Sequence, residues 1–171
     1  MHFNKTSGII MVKEFSVTQT GCLFMENILI QKEHLRVHVP ADTWEEAIAQ
    51  AGAVLEEAGS ITHDYVDAMI AAVKEFGPYI VIMPGFAIAH AAPCPAVKKE
   101  DIALVTLEKP LDFGSPNDPV LVVLCVSCID HESHLNALQK VAVALDSEEI
   151  FGEMFRAETV DELFDVLHHR K

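Results

Sequence analysis

The sequence predicts an α/β fold: one mixed sheet of about five strands flanked by helices on both sides, a single layered sandwich domain. Three observations lead there. Apolar side chains recur at helical spacing between residues 44 and 76. From Tyr79 to Ile129 the pattern shifts to short apolar runs punctuated by Pro and Gly, and after Asp130 the helical period returns. Helices, strands and helices in successive blocks do not make a regular βαβ array, and point to a mixed layer fold. With 171 residues, 50% of them hydrophobic, the chain can bury one substantial core but has no room for a second full domain.

Residues 1–24 show no period and are read as an N-terminal extension, with the globular part running from 25 to 171. The first strand is Leu35 to Val39. Thr43-Trp44-Glu45-Glu46 forms a capping box ahead of an Ala-rich amphipathic run that stops at Gly59, so residues 44–58 should be a helix. A second helix over about 63–76 follows Thr62, carries Tyr65, Met69 and Val73 on one face, and ends at Gly77-Pro78. Four strands follow: Tyr79 to Met83, Ala87 to His90 after a Pro84-Gly85 break, Ile102 to Leu107, and Val120 to Ile129. A helix through Leu135, Leu138, Val141 and Leu145 comes next. Short helices near 147–156 and 160–169 complete the chain, the last opened by the capping box Thr159-Val160-Asp161-Glu162. His168-His169-Arg170-Lys171 then places positive charge where it complements a helix C-terminus.

Charge and hydropathy exclude several classes of function. Twelve Lys+Arg against 26 Asp+Glu give a net charge of -14, with no basic stripe to meet a phosphate backbone, so nucleic acid is not an expected partner. The longest apolar run, Val120 to Ile129, is about half of what a bilayer crossing needs, and the N-terminal run from Gly8 to Val12 is too short for a signal peptide. No membrane insertion is expected. Four cysteines, Cys22, Cys94, Cys125 and Cys128, are few, and the last two lie in an apolar run where free thiols act as small hydrophobes, which fits a reducing cytoplasm.

Of nine histidines, His2, His34, His38 and His63 join no cluster and read as surface residues. His90 differs, because it ends an apolar strand and precedes the Pro-rich segment Ala91-Ala92-Pro93-Cys94-Pro95, a place where a polar group is held rigidly yet faces solvent. Local pattern alone leaves its role open. Cys125-x2-Cys128-x2-His131-x2-His134 imitates a zinc set, but side chains alternate along a strand, so the two cysteines point to opposite faces and no metal is expected. His131 and His134 can share a face at a helix start, near amides that attract anions, but on local pattern alone a solvated helix end is the preferred reading. No nucleotide-binding loop and no G-x-S-x-G elbow occur, and no cofactor is expected.

Several motifs in order carry a resemblance. They are Gly85-Phe86-Ala87-Ile88-Ala89-His90-Ala91-Ala92-Pro93, Ala103-Leu104-Val105-Thr106-Leu107, Leu111-Asp112-Phe113-Gly114 leading to Asp118-Pro119-Val120, and Asp130-His131-Glu132-Ser133-His134-Leu135. Together these resemble the IIA component of the bacterial phosphoenolpyruvate-dependent sugar phosphotransferase system, mannitol/fructose superfamily, over about residues 26–171. Tyr65-Val66-Asp67-Ala68-Met69 and Lys74-Glu75-Phe76-Gly77-Pro78-Tyr79-Ile80-Val81 resemble its ascorbate-type branch.

The resemblance implies a cytoplasmic phosphoryl carrier. A neutral imidazole nitrogen of His90 takes the phosphoryl group from the phosphohistidine of HPr and passes it to a cysteine of a IIB component, so that a IIC permease is served only indirectly. His134 matches the family's second histidine and is expected to steady the phosphate by a hydrogen bond. The chain departs from the family pattern at Ala89, often Pro, at Ala92, often Arg, and at Ala72, Arg in the mannitol branch; Lys98 or Lys99 is the expected substitute cation. The competing readings are a regulatory module that keeps its phosphate as a signal and acts through a partner protein, and a metal-binding structural protein.

Overall fold

The computed structural model describes residues 30–144 and 148–168. The expected extension over residues 1–24, His2, Cys22, Leu145 and the final His169-Arg170-Lys171 lie outside the described residues.

The sheet has five strands: β1 (Leu35–Val39), β2 (Val81–Met83), β3 (Gly85–Ala89), β4 (Asp101–Leu111) and β5 (Val120–Ser127), in spatial order β1-β4-β5-β3-β2. It is mixed. β1 runs parallel to β4 and β3 parallel to β5, whereas β4 pairs antiparallel with β5 and β2 antiparallel with β3. Helices α1 (Trp44–Glu57) and α2 (His63–Phe76) cover one face, sharing a buried core with Ala87, Ala89, Val105, Val123 and Cys125. Helix α3 (His131–Ala144), through Val141, joins α4 (Glu148–Arg156) and α5 (Val160–His168) on the other, where Phe86, Ile88, Leu124 and Cys128 are buried and the rings of Phe86 and Phe151 stack at 4.6 Å. Cys125 and Cys128 therefore fall in opposite cores, as strand alternation requires.

Both capping boxes form, in a variant geometry. The hydroxyls of Thr43 and Thr159 accept from the amides of Glu46 and Glu162, each at 3.2 Å. The two glutamates reach back to the amides of Asp42 and Glu158, one residue upstream of the cap itself. Gly59 and Gly77 stop their helices with φ of +71° and +82°.

Five expectations need correction. The strand expected to run from Val120 to Ile129 ends at Ser127. The strand expected at Tyr79 begins at Val81, because residues 77–81 turn back on themselves through Tyr79 N–H to Gly77 O and Val81 N–H to Pro78 O bonds. Gly85 is the first residue of β3 and not a break before it. β4 runs four residues beyond Leu107; Pro110 is tolerated because the register with β5 jumps between Thr106 and Leu111, leaving no ladder bond for Pro to donate. Finally, His34 and His38 are not surface residues in the expected sense. His34 is buried, with Nδ1 3.1 Å from an Asp101 carboxylate oxygen whose partner oxygen accepts from Ser60 Oγ. His38 sits at φ +50° with Nε2 3.3 Å from the Phe155 carbonyl. His63 is exposed, as expected.

The α1–α2 contact is close at Gly52, where an added Cβ would lie 2.7 Å from Val66 Cγ2. Val66 is buried and β-branched, so it has little freedom to move aside. Gly52→Ala gains about 1 kcal/mol of helix propensity but incurs an overpacking cost of about 1–3 kcal/mol. A lowered denaturant midpoint at unchanged slope is expected in urea titration; a raised midpoint would show that the two helices part freely.

Candidate functional site

β3 is buried along its whole length, and it runs parallel to β5 with Ala89 opposite Cys125. The chain thus delivers His90, one residue past β3, to the same edge of the sheet at which β5 hands over to α3. Crevices at the carboxyl ends of parallel strands are the usual ligand sites of open α/β sheets. Asp130 caps α3: its carboxylate accepts from the Ser133 amide at 2.7 Å, which holds the Asp130 carboxyl below its ordinary range. That carboxylate occupies part of the helix end at which an anion was expected. One turn on, His134 faces His90, with ring centroids 5.2 Å apart.

The His90 ring is oriented by its own strand. Nδ1 lies 2.7 Å from the Ile88 carbonyl, an acceptor only, so Nδ1 carries the hydrogen and the lone pair is left on Nε2. Burial pushes the protonation of His90 below the ordinary histidine range; the Ile88 bond opposes this, and the neighbouring His134 adds to it. His134 is likewise held low by burial and then by His131. Both rings are neutral near pH 7. Nδ1 of His134 is buried and has no hydrogen-bond partner among the described residues, a polar atom still to be satisfied.

The pair opens into a cleft of about 600 Å³. Ala68 and Ala72 of α2, Ala92, Cys94, Tyr79 and His131 contribute to its walls, and Glu75 is its carboxylate. No Lys or Arg lines it among the described residues. The substitution of the missing arginines by Lys98 or Lys99 is therefore not realised: Lys98 Nζ donates to the Pro95 carbonyl at 2.9 Å, and Lys99 Nζ lies 3.9 Å from Asp101. The thiols of Cys125 and Cys128 are pushed up by burial to about 12 and about 11, which makes them inert core groups. A second cavity, of about 420 Å³, lies beside α3 and is lined by Asp101, Ser127, Asn136 and Lys140; neither His90 nor His134 borders it.

Two residues of the site were not anticipated. The hydroxyl of Tyr65, fully buried in α2, accepts from the Ala91 amide and lies 3.1 Å from the carbonyls of Ala91 and Val126, tying the residue after His90 to the end of β5. Tyr79 donates to the His90 carbonyl at 3.0 Å. In the sequence both register only as apolar positions; a buried Tyr needs a partner for its hydroxyl, but the sequence does not say which.

A family model for the phosphoenolpyruvate-dependent sugar phosphotransferase system, EIIA 2, matches residues 28–170. The ascorbate-specific PTS system EIIA component of Escherichia coli (strain K12) is 32% identical over 145 residues, 84% of this chain and 94% of that protein. The solution structure of a mannitol-specific cryptic phosphotransferase enzyme IIA from Escherichia coli aligns at a TM-score of 0.74 with 26% identity, covering 86% of this chain and 100% of that one. The crystal structure of IIA mannitol from Escherichia coli shares the fold at a TM-score of 0.73 and 24% identity, over 82% of this chain and 99% of that one. No helix among the described residues is long and apolar enough to cross a membrane. A sheet with helices on both faces, a paired-histidine crevice and these likenesses agree, and the chain belongs to the EIIA 2 family of the phosphoenolpyruvate-dependent sugar phosphotransferase system.

Proposed function

We propose that this IIA protein carries a phosphoryl group on Nε2 of His90, taking it from the phosphohistidine of HPr in the cytoplasm and giving it to a cysteine of a IIB component, with residues 25–171 as the transfer domain. The observation that carries the reading is the His90 ring itself, with Nδ1–H bound to Ile88 O, a free lone pair on Nε2, and His134 5.2 Å away in an open cleft. In the step, the Nε2 lone pair forms the new N–P bond as the donor's N–P bond breaks and its imidazole leaves. The phosphorylated ring is more cationic, and its Nδ1–H bond to the Ile88 carbonyl strengthens accordingly. Transfer onward exchanges this N–P bond for an S–P bond on the acceptor.

His134 contributes a hydrogen-bond donor to the phosphoryl oxygens, where charge compensation is most of what phosphoryl transfer requires. Ascorbate or a related sugar is the cargo of the system served, a choice resting on the ascorbate-specific name of a relative 32% identical to this chain. The IIA–IIB pairing draws support from a structural neighbour described as a complex of enzyme IIA and phosphorylated enzyme IIB for mannitol.

The test is a purified relay. Protein labelled from radioactive phosphoenolpyruvate through enzyme I and HPr is mixed with an ascorbate-type IIB protein. The label is expected to move to a IIB cysteine within seconds. Label that remains on this chain would reject a transport carrier in favour of a regulatory module.

A further inference from the structure

We propose that Tyr79 is a positioning residue for the phosphoryl acceptor, fixing the backbone of His90 through its hydroxyl and the plane of the imidazole through its ring. The inference rests on the reading of His90 as that acceptor. Tyr79 stands in the short connection between α2 and β2, outside both elements. Its hydroxyl donates to the His90 carbonyl at 3.0 Å, and its ring meets the imidazole edge-on, with centroids 5.1 Å apart at an interplanar angle of 87°. Phe76 supports the outer side of that ring, 6.3 Å away and again nearly perpendicular.

Nothing in the fold demands this arrangement. Tyr79 is 40% exposed, so water could serve its hydroxyl equally well, and its side chain belongs to neither buried core. The connection is nonetheless shaped to present it, with Gly77 at φ +82° and the Tyr79 amide turned onto the Gly77 carbonyl. The Ile88 carbonyl holds Nδ1 and Tyr65 holds the backbone of Ala91; Tyr79 adds a hydroxyl on the His90 carbonyl and a ring against the imidazole. In-line transfer is sensitive to placement: an error of about 1 Å is worth about 10²-fold in rate. A ring so held keeps Nε2 in one direction while donor and acceptor proteins exchange places.

The ring also helps to keep water from His90. The other groups facing the imidazole are His131 and His134 from α3, Glu75 from α2 and Cys94 from the following loop, and all remain when Tyr79 is replaced.

The experiment compares wild-type protein with Tyr79→Phe, Tyr79→Ala and His90→Ala, labelled either by phospho-HPr or by phosphoramidate, a small donor that releases ammonia as its P–N bond breaks. Histidine titrations are followed by NMR. Tyr79→Phe, which keeps the ring, is expected to lose about tenfold with both donors while His90 titrates as in wild type. Tyr79→Ala is expected to lose about 10²-fold, and His90 to titrate nearer the ordinary histidine range as water replaces the ring. Unchanged phosphoramidate rates in both variants overturn the inference, including the case in which only the HPr rate falls, because Tyr79 would then be a docking contact. Label persisting on His90→Ala overturns the reading of the acceptor instead, a separate result. Should Tyr79→Ala fail to fold, Tyr79→Phe decides alone.

Discussion

His90→Ala is expected to abolish labelling by phosphoenolpyruvate and the general components, a fall of at least about 10³-fold in acceptance rate. The loss should be near total because, among the described groups of the cleft, His90 is the one whose lone pair is set by a backbone carbonyl. Cys125 and Cys128 are buried with their thiols pushed up to about 12 and about 11. His134, another imidazole in the cleft, has its Nδ1 unpaired among the described residues, so no carbonyl fixes its ring for attack on phosphorus, and it is placed to donate an N–H to a phosphoryl oxygen. The fold should survive, since His90 lies beyond the end of β3 and its side chain is in neither core cluster. Circular dichroism with the labelling assay separates the two effects; a folded His90→Ala protein labelled at the wild-type rate would sink the assignment.

The same residue sets the pH profile. Burial lowers the affinity of the folded state for the His90 proton, so the neutral nucleophile persists to lower pH than a free histidine would allow. Acceptance from phosphoramidate, corrected for the donor's own titration, should stay level from pH 8 through about 6.5 and fall only below that. Stability follows the same sign. Below about pH 6.5 the unfolded chain takes up the proton more readily than the folded one, so the folded state loses ground as acid is added.

Much of the fold could be read before the structure, for local reasons. The capping signals at Thr43 and Thr159 and the breaks at Gly59 and Gly77 are written within a few residues of the elements that they govern. Strand alternation sufficed to send Cys125 and Cys128 into opposite cores. What escaped depended on residues distant in the chain. His34 is buried because Asp101 and the Ile102 carbonyl, the latter 68 positions away, meet its ring beside the β1–β4 pairing, and no periodicity in residues 30–40 encodes that. Lys98 and Lys99 lie close to His90 in sequence, yet the turn after Pro95 and the start of β4 direct them to Pro95 and Asp101. Tyr79 carries the residue type of a strand position; only the fold of residues 77–81 turns its hydroxyl onto His90.

Replacing His134 by alanine is expected to leave acceptance measurable but lower by about 10²-fold, the scale on which losing one preorganised donor to developing charge is felt. The effect should be large here because the cleft has few other means of compensation. Among the described residues no Lys or Arg lines it, Glu75 adds negative charge, and the Ser133 amide at the start of α3 is already taken by Asp130. Burial and His131 keep His134 neutral near pH 7, so it can act through one N–H but not as a cation. His134→Gln retains an N–H donor of shorter reach, and part of the loss should return; His134→Ala should return none. If donation to phosphate is the role, the half-life of the phosphorylated protein alone should shorten in His134→Ala as well, because the same bond steadies the finished phosphohistidine. A folded His134→Ala protein with both the acceptance rate and the phosphoryl half-life of wild type would mean that the 5.2 Å approach of the two rings is packing without chemistry.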